Sequence, residues 1–438
     1  MVEVYPVFLL VGFVIFLGFL GNALFKRTGI PDILILIFLG VLIGPITGFL
    51  DPKDLVSIMP YFAALAIIII LFDGGLDLEF DKLLHMFSIS VVHTTIGFVL
   101  SLSVITVVVT ILLGYPPIIG LLLGAILGGT SSAIIIPLVT KLSIKKETSI
   151  ILTMESVLTD VCCIVVAIAI IQVIVVGTSD YGLAFQSLAS AFSIAVISGL
   201  VIGMVWLRLL KNLEGAPFLY LLTIGVVFAL YAGTEFLKGS GAVAALVFGM
   251  VLSNGHEFVR IFKLKTHLSL NEDIRRFHSE VSFFIRAFFF VYIGILFNYK
   301  DVSPLLLLAS VIIVVSLFLI RFLLAKTTTK LRPELKSDFN IIWAMLPRGL
   351  AAAVLATVPL TSGVPGTEWF THVVFMVILG TCIIATIGAA MNEHRASKLK
   401  KHKEEGVITL MPLPQPQPEV IFMKPLPKEE AIISNNQK

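Results

Sequence analysis

Two carboxylates five residues apart stand inside a long apolar stretch of the sequence. Glu155 and Asp160 belong to the segment Met154-Glu155-Ser156-Val157-Leu158-Thr159-Asp160, in an apolar run from about Thr148 to Val176. Asp160 is about twelve residues into that run, which is ~18 Å along a helix and near the middle of a ~30 Å hydrocarbon layer. A charge at this depth is costly, so it almost always faces a partner, an ion or a water-filled cavity. The position therefore predicts a functional role for Asp160.

The chemistry available to such an acid is binding of a proton or of a hard monovalent cation through oxygen. Because the proton and the cation compete for one site, the acid would cross the membrane with one or the other bound. Such a site exchanges the cation on one side of the membrane for the proton on the other. Ser156 is four residues before Asp160 and shares its helical face, so its hydroxyl is a candidate ligand. Thr159 offers a neutral hydroxyl and no second charge. A buried ion pair with a basic residue is the alternative interpretation of Asp160.

Glu155 is predicted to have a different role. Five residues turn a helix by ~500°, so Glu155 and Asp160 do not share a face. We expect Glu155 to point at another helix, where Arg348 would be its partner in a structural ion pair. Direct coordination of the ion by Glu155 is the alternative. His93 is predicted to be a satisfied interior histidine, with a proton relay as the alternative.

Composition places these residues in a membrane protein. Of 438 residues, 58% are hydrophobic and 13% are charged, whereas soluble domains carry about 25% charged residues. The net charge is +3 and the basic residues are spread over short loops, which argues against a nucleic-acid partner. Cys162, Cys163 and Cys382 form neither a disulfide framework nor a metal-binding spacing. The sequence therefore predicts an all-α polytopic membrane protein without a cofactor.

Windows of about 20 residues predict thirteen transmembrane helices. The spans lie at 6–25, 31–50, 57–77, 86–113, 116–140, 148–176, 183–210, 216–237, 239–254, 277–298, 303–325, 339–361 and 369–391. With this count, one set of loops holds eighteen basic residues and the other holds three. The positive-inside rule then places the N-terminus outside and the C-terminus in the cytoplasm.

The end of the chain has another composition. Residues 1–391 form the predicted transmembrane domain, and residues 392–438 are Lys-rich and then Pro-rich. Segments of this kind are typical of disordered or polyproline-type tails. We expect a disordered cytoplasmic tail.

Weak internal similarity suggests two inverted six-helix repeats. Phe38-Leu39-Gly40-Val41-Leu42 resembles Phe248-Gly249-Met250-Val251-Leu252, and Phe72-Asp73-Gly74-Gly75-Leu76 resembles Val291-Tyr292-Ile293-Gly294-Ile295. A third pair follows in the same order, because the sequence at 129–133 resembles the sequence at 349–353. A shift of seven spans inverts the second copy, and inverted repeats carry their site at the midplane, where broken helices meet.

Two spans carry signals that interrupt a helix. Span five contains Gly128-Gly129-Thr130-Ser131-Ser132, and span twelve contains Pro347-Arg348-Gly349. Such clusters in mid-span are tolerated only where the backbone lines protein or a cavity. We therefore predict discontinuous helices that cross at the midplane.

These motifs together resemble the monovalent cation:proton antiporter superfamily, and especially its NhaP-type Na⁺/H⁺ branch. The motifs are Glu155-Ser156-Xaa-Xaa-Thr159-Asp160, the Gly-Gly-Thr-Ser-Ser break and the Pro-Arg-Gly break, within residues 6–391. The resemblance implies a homodimer and a core bundle that moves like an elevator, with the core in spans 3–6 and 10–13. The dimerisation part would be spans 1–2 and 7–9.

The resemblance also implies roles for single residues. Asp160 would bind the cation or the proton, with Ser156, Thr130, Thr159 and Asp73 as further ion-binding residues. Glu155 and Arg348 would form the structural ion pair.

The sequence departs from the family pattern at two positions. Thr159 stands where the family usually has Asn, or Asp in electrogenic branches, so we expect electroneutral one-for-one exchange. Asp73 is shorter than the usual Glu, which leaves the choice between Na⁺ and K⁺ open. We expect a Na⁺ (or Li⁺)/H⁺ antiporter of the cytoplasmic membrane. A K⁺/H⁺ antiporter on the same fold and a cation channel are the alternatives.

Overall fold

The protein is helical in every element that the computed structural model describes, namely residues 4–28, 31–49, 59–78, 80–176, 181–213, 218–257 and 272–408. In chain order the main α-helices are α1 (Val4–Thr28), α2 (Asp32–Val41), α3 (Met59–Asp77), α4 (Phe80–Leu112), α5 (Pro117–Leu127), α6 (Ser132–Val139), α7 (Lys146–Val176), α8 (Tyr181–Asn212), α9 (Leu219–Phe236), α10 (Gly241–Ser253), α11 (Glu272–Leu296), α12 (Pro304–Leu331), α13 (Phe339–Ala344), α14 (Leu350–Leu355), α15 (Val358–Thr361) and α16 (Phe370–Ile408). A π-helical turn at Leu42–Ile46 and 3₁₀ turns at Tyr299–Asp301 and Pro333–Asp338 complete the set.

Many of these helices have the length and composition of membrane spans. Within the described residues, eight helical segments are long and apolar enough to cross a membrane, and one of them, Pro117–Val139, combines α5 and α6. Five shorter apolar helical segments accompany them, at Val11–Gly21, Asp32–Ile46, Leu221–Phe236, Gly241–Ser253 and Leu350–Thr361. The all-helical, multi-pass class is thereby confirmed, and the count of thirteen stays a prediction.

The helices are interrupted at both predicted places. The chain leaves helical conformation between α5 and α6, at Gly128 and Gly129, and again between α13 and α14, around Pro347. The two interruptions touch, because the backbone N–H of Ser131 donates a hydrogen bond of 2.9 Å to the carbonyl of Pro347. The backbone groups that lose their helical hydrogen bonds at one interruption are thus paired with those of the other. Buried backbone groups need such partners where no water is available.

Two close crossings join helices that are distant in sequence. A Cβ atom on Gly40 of α2 would lie 2.8 Å from the Cα of Gly294 in α11. In the same way, a Cβ on Gly249 of α10 would lie 3.2 Å from the Cα of Gly75 in α3. Small residues are what allow helix backbones in a membrane to approach so closely. These crossings fix α2 on α11 and α3 on α10.

The final helix is longer than the sequence indicated. Helix α16 continues past Met391 to Ile408, so the prediction of disorder is wrong for residues 392–408. This stretch is polar, but it is rich in Lys and Glu, which are good helix formers. The chain divides into the units Met1–Glu393 and His394–Lys438, and residues 409–438 of the second lie outside the described residues.

Candidate functional site

Asp160 lies near the middle of the 31-residue helix α7 and faces the start of α6. Its Oδ2 atom accepts two hydrogen bonds from Ser132, one from the backbone N–H at 2.9 Å and one from the hydroxyl at 2.6 Å. Ser132 is the first residue of α6, directly after the interruption. The free N–H groups and the dipole of a helix N-terminus stabilise a negative charge. The broken helix therefore supplies neutral donors to this acid.

A cavity of about 290 Å³ opens beside Asp160. It is bounded by α3, α6, α7, α11, α14 and the segment joining α5 to α6. The cavity is lined by apolar residues and by a group of polar side chains, which are Asp73, Asp77, Ser131, Ser132, Asp160, Ser279, Ser282 and Arg286. Carboxylate and hydroxyl oxygens are suitable ligands for a hard cation. The two predicted ion-binding acids, Asp73 and Asp160, thus line one cavity.

Asp73 is positioned by the neighbouring helix. The hydroxyl of Ser282 in α11 donates a hydrogen bond to its Oδ2 atom. Asp73 lies on α3, so this bond joins two helices that are separated by 209 residues in the chain. The acid is consequently held on the wall of the cavity formed by α3 and α11.

The other predicted ligands do not line this cavity, and two of them, Thr130 and Thr159, contact each other at the interruption. The Thr159 hydroxyl accepts a hydrogen bond of 3.0 Å from the backbone N–H of Thr130, and the same oxygen lies 3.3 Å from the Thr130 carbonyl. Ser156 donates its hydroxyl to the carbonyl of Thr153 at 2.9 Å. In this arrangement Thr159 braces the start of the break, and the ligand roles of Thr130, Ser156 and Thr159 stay predictions.

The predicted pairing of Glu155 with Arg348 is wrong. The Oε1 atom of Glu155 accepts a hydrogen bond from Nη1 of Arg321, and both side chains are buried. The second carboxylate oxygen lies 3.6 Å from Nε2 of His93. Helix α12 carries Arg321 into the core, where its side chain is buried. A buried charge needs a partner of opposite sign, and packing rather than spacing selects it.

Arg348 is used to cap a helix. Its Nε donates a hydrogen bond of 2.7 Å to the carbonyl of Leu127, the last residue of α5, and its Nη1 donates to the carbonyl of Leu346 at 3.2 Å. The backbone N–H of Arg348 donates to the Thr381 hydroxyl at 3.0 Å. The carbonyls that end a helix lack intrahelical partners and favour a nearby cation. Arg348 therefore stabilises the crossing of the two interruptions.

His93 is paired on one side of its ring. Its Nδ1 atom lies 2.7 Å from the Thr328 hydroxyl, whereas Nε2 has no hydrogen-bond partner among the described residues. The predicted interior position is correct, since the side chain is buried in the core.

Three residues of the site were not selected from the sequence. Ser132 belongs to the Gly-Gly-Thr-Ser-Ser break, and the position directly after an interruption is where a helix N-terminus would begin. Ser282 gives no signal of its own, because hydroxyls are common in membrane helices. Arg321 could have been found, since it falls inside the span predicted at 303–325 and a charge there needs a partner.

Comparison with known proteins identifies the family. The sequence profile of the family described as "Sodium/hydrogen exchanger, transmembrane" matches residues 12–391. A relative from Methanocaldococcus jannaschii, "Probable Na(+)/H(+) antiporter 2", is 27% identical in an alignment of 374 residues that covers 80% of this chain and 85% of the relative. The "K(+)/H(+) antiporter NhaP" of Alkalimonas amylolytica is 25% identical over 92% of this chain and 69% of its own length.

The fold also matches a solved structure. The sodium proton antiporter MjNhaP1 from Methanocaldococcus jannaschii superposes with a TM-score of 0.70, over 90% of this chain and 98% of that chain. The sequence identity is 21%, so this likeness shows the fold. With the profile match across most of the sequence, the resemblance seen in the motifs is confirmed. The chain is a multi-pass membrane protein that belongs to the sodium/hydrogen exchanger family of cation/proton antiporters.

Proposed function

We propose that this protein is a secondary active antiporter that exchanges Na⁺ or Li⁺ for H⁺ across the cytoplasmic membrane, one for one. The observation that carries the proposal is the position of Asp160, in mid-helix on a cavity wall, facing the N-terminus of broken helix α6. Ser132 holds it through neutral donors that can stay in place whether the acid binds a cation or a proton. Family membership supports the exchange reaction.

The transported cation would be bound by oxygen atoms. Asp160 on α7 and Asp73 on α3 supply the carboxylates. The predicted hydroxyl ligands Thr130, Ser156 and Thr159 lie within one turn of the break or of Asp160, and a small shift of the crossing would redirect them. A proton on Asp160 would neutralise it and release the cation.

The cavity lies toward one end of the helices that form it. Asp77 is the last residue of α3, Ser279 lies in the early part of α11, and Pro137 lies near the end of α6. In the orientation predicted from loop charges, with the N-terminus outside and the C-terminus inside, all three ends are cytoplasmic. The arrangement is that of an inward-facing state of a transporter with alternating access.

We propose an elevator-type movement with a boundary different from the one expected above. The glycine crossings join α2 to α11 and α3 to α10, so sliding at either place would separate closely packed backbones. We therefore assign spans 3 and 10 to the static part, together with spans 1–2 and 7–9. Spans 4–6 and 11–13, which carry Asp160 and both interruptions, would form the moving core.

The same crossings support the proposed inverted repeat among thirteen spans. Span two packs on span ten, and span nine packs on span three, which is the exchange of partners that a two-fold relation would produce. The homodimer implied by the family resemblance, and a contribution to pH homeostasis, belong to this proposal as well.

The test is Asp160→Asn in everted vesicles or proteoliposomes. Asparagine keeps the shape but binds neither the proton nor the cation as a charge, so Na⁺-dependent collapse of an imposed pH gradient should disappear. Asp301→Asn, at an exposed site in a 3₁₀ turn, is the matched control and should exchange at the parental rate. Exchange that survives Asp160→Asn would show that this residue is not the carrier.

A K⁺/H⁺ antiporter is the second candidate, because relatives with this activity in their names cover most of the chain. Gradient collapse by Na⁺, Li⁺ and K⁺, compared in the same vesicles between pH 6 and 9, separates the two. Collapse by K⁺ at concentrations where Na⁺ has no effect would favour the second candidate.

A further inference from the structure

Arg286 places a positive charge on the wall of a cavity proposed to bind a cation. It lines the same cavity as Asp73 and Asp160. Ser282, one helical turn before it, donates a hydrogen bond to Asp73. A cation site beside a guanidinium needs an explanation, because two positive charges repel each other most strongly where water is scarce.

Asp32 provides that explanation. Its Oδ2 atom lies 3.7 Å from Nη2 of Arg286, and the two side chains are 14% and 22% exposed. The guanidinium also lies 5.5 Å from the ring centre of Phe283. Asp32 is the first residue of α2 and is not among the residues that line the cavity. The ion pair therefore draws the guanidinium away from the cavity acids.

The cavity offers Arg286 other partners. Among the described residues that line it, the acids are Asp73, Asp77 and Asp160, and Arg286 is the basic residue. A guanidinium on a long flexible side chain can reach an acid one turn away as readily as one on a neighbouring helix. Whether Arg286 pairs with Asp32 or with Asp73 then decides how much negative charge is free for a cation.

We infer that Arg286 is a positioning residue that sets the apparent cation affinity, and that Asp32 holds its charge away from Asp73. When the pair with Asp32 is intact, Asp73 is available to the transported cation. When the pair is broken, Arg286 acts as a tethered counterion on Asp73 and competes with that cation. This inference rests on the proposed function, since it assumes that the cavity binds the cargo.

Opposite effects of two substitutions test the inference. In proteoliposomes, Arg286→Gln removes the competing charge and should lower the KM for the cation by about three- to tenfold. Asp32→Asn releases Arg286 toward Asp73 and should raise KM by a similar factor. The double variant should behave like Arg286→Gln alone, because without the arginine there is nothing to release. The kcat should change less than KM in all three.

A purely structural ion pair would give a different pattern. Loss of either partner would then lower kcat in the same way, and KM would not move in opposite directions. That result, or a KM that stays at the parental value in Asp32→Asn, overturns the inference. Arg286→Lys keeps the charge and should stay within about twofold of the parental KM. The exposed pair Arg332 and Glu334, whose charged atoms are 3.3 Å apart, provides matched controls as Arg332→Gln and Glu334→Gln.

Cation binding can also be followed without transport. At a given concentration, a ligand raises the melting temperature of the folded state more when it binds more tightly, so Na⁺ or K⁺ titrations of the purified variants report the same order of affinities. A parent that binds the cation but exchanges no protons would count against the proposed function, and the order of the variants would still decide on Arg286.

Discussion

Two acids on one helix carry different kinds of partner: Asp160 is half-buried on the cavity wall, and Glu155 is buried. Asp160 is held by the N–H and hydroxyl of Ser132, which are neutral, whereas Glu155 is held by the guanidinium of Arg321. A carboxylate held by neutral donors can still bind a proton or a cation, whereas a carboxylate paired with a fixed guanidinium is already neutralised. At the scale of single residues, this difference separates the proposed carrier from the structural acid five positions before it.

The buried pair predicts a stability effect. Glu155→Gln or Arg321→Gln leaves one charge buried without its partner and should destabilise the protein by about 3–5 kcal/mol. The double variant removes both charges and should be less destabilised than the sum of the singles. Thermal unfolding of purified protein measures this, with the exposed pair Arg332 and Glu334 as a control expected to stay within about 1 kcal/mol. Additive losses in the double variant would show that the two residues act independently.

The sequence signals that succeeded are local. The interruptions at Gly128-Gly129 and Pro347 were predictable because glycine and proline act on their own backbone. The depth of Asp160 followed from counting along one apolar run. The partner of Glu155 was not predictable from spacing, since Arg321 is 166 residues away and only the tertiary fold brings it close. The positions of Ser282 and Arg286 beside Asp73 likewise depend on how α11 meets α3.

Helix crossings give a prediction at the scale of elements. Gly249→Ala places a methyl group against the backbone of Phe72 and the Cα of Gly75, so the α3–α10 crossing must open, at a cost of about 1–3 kcal/mol. Gly225→Ala in α9 is the matched control, because nothing lies within 4 Å of the added carbon and alanine is the better helix former. Melting temperatures of the two variants should move in opposite directions, or the control should not move.

Equal melting temperatures for these two variants would mean that the crossing tolerates separation. The proposed assignment of spans 3 and 10 to the static part would then be unsupported, because it assumes that the helix backbones at these crossings are too close to slide.

At the scale of the whole molecule, the two cavity acids belong to different parts. Asp160 lies on α7, within the proposed moving core, whereas Asp73 lies on α3 and is bonded to Ser282 of α11, within the proposed static part. The position before Asp160 is Thr159, whose neutral hydroxyl is engaged with Thr130. Asp160 would therefore be the one acid that travels with the core and exchanges a proton for a cation. The site carries no net charge when either a proton or a monovalent cation is bound to it.

This division predicts electroneutral exchange with direct competition. In proteoliposomes a membrane potential of either sign should not drive the exchange, because the two half-cycles move the same charge in opposite directions and the full cycle moves none. Since proton and cation compete for Asp160, lowering the pH should raise the cation KM, by up to about tenfold per pH unit where the acid is mostly protonated. Asp73→Asn should raise KM but keep the exchange voltage-independent, because Asp73 does not travel. A rate that follows the imposed potential would place a second charge on the moving core and refute the one-for-one stoichiometry.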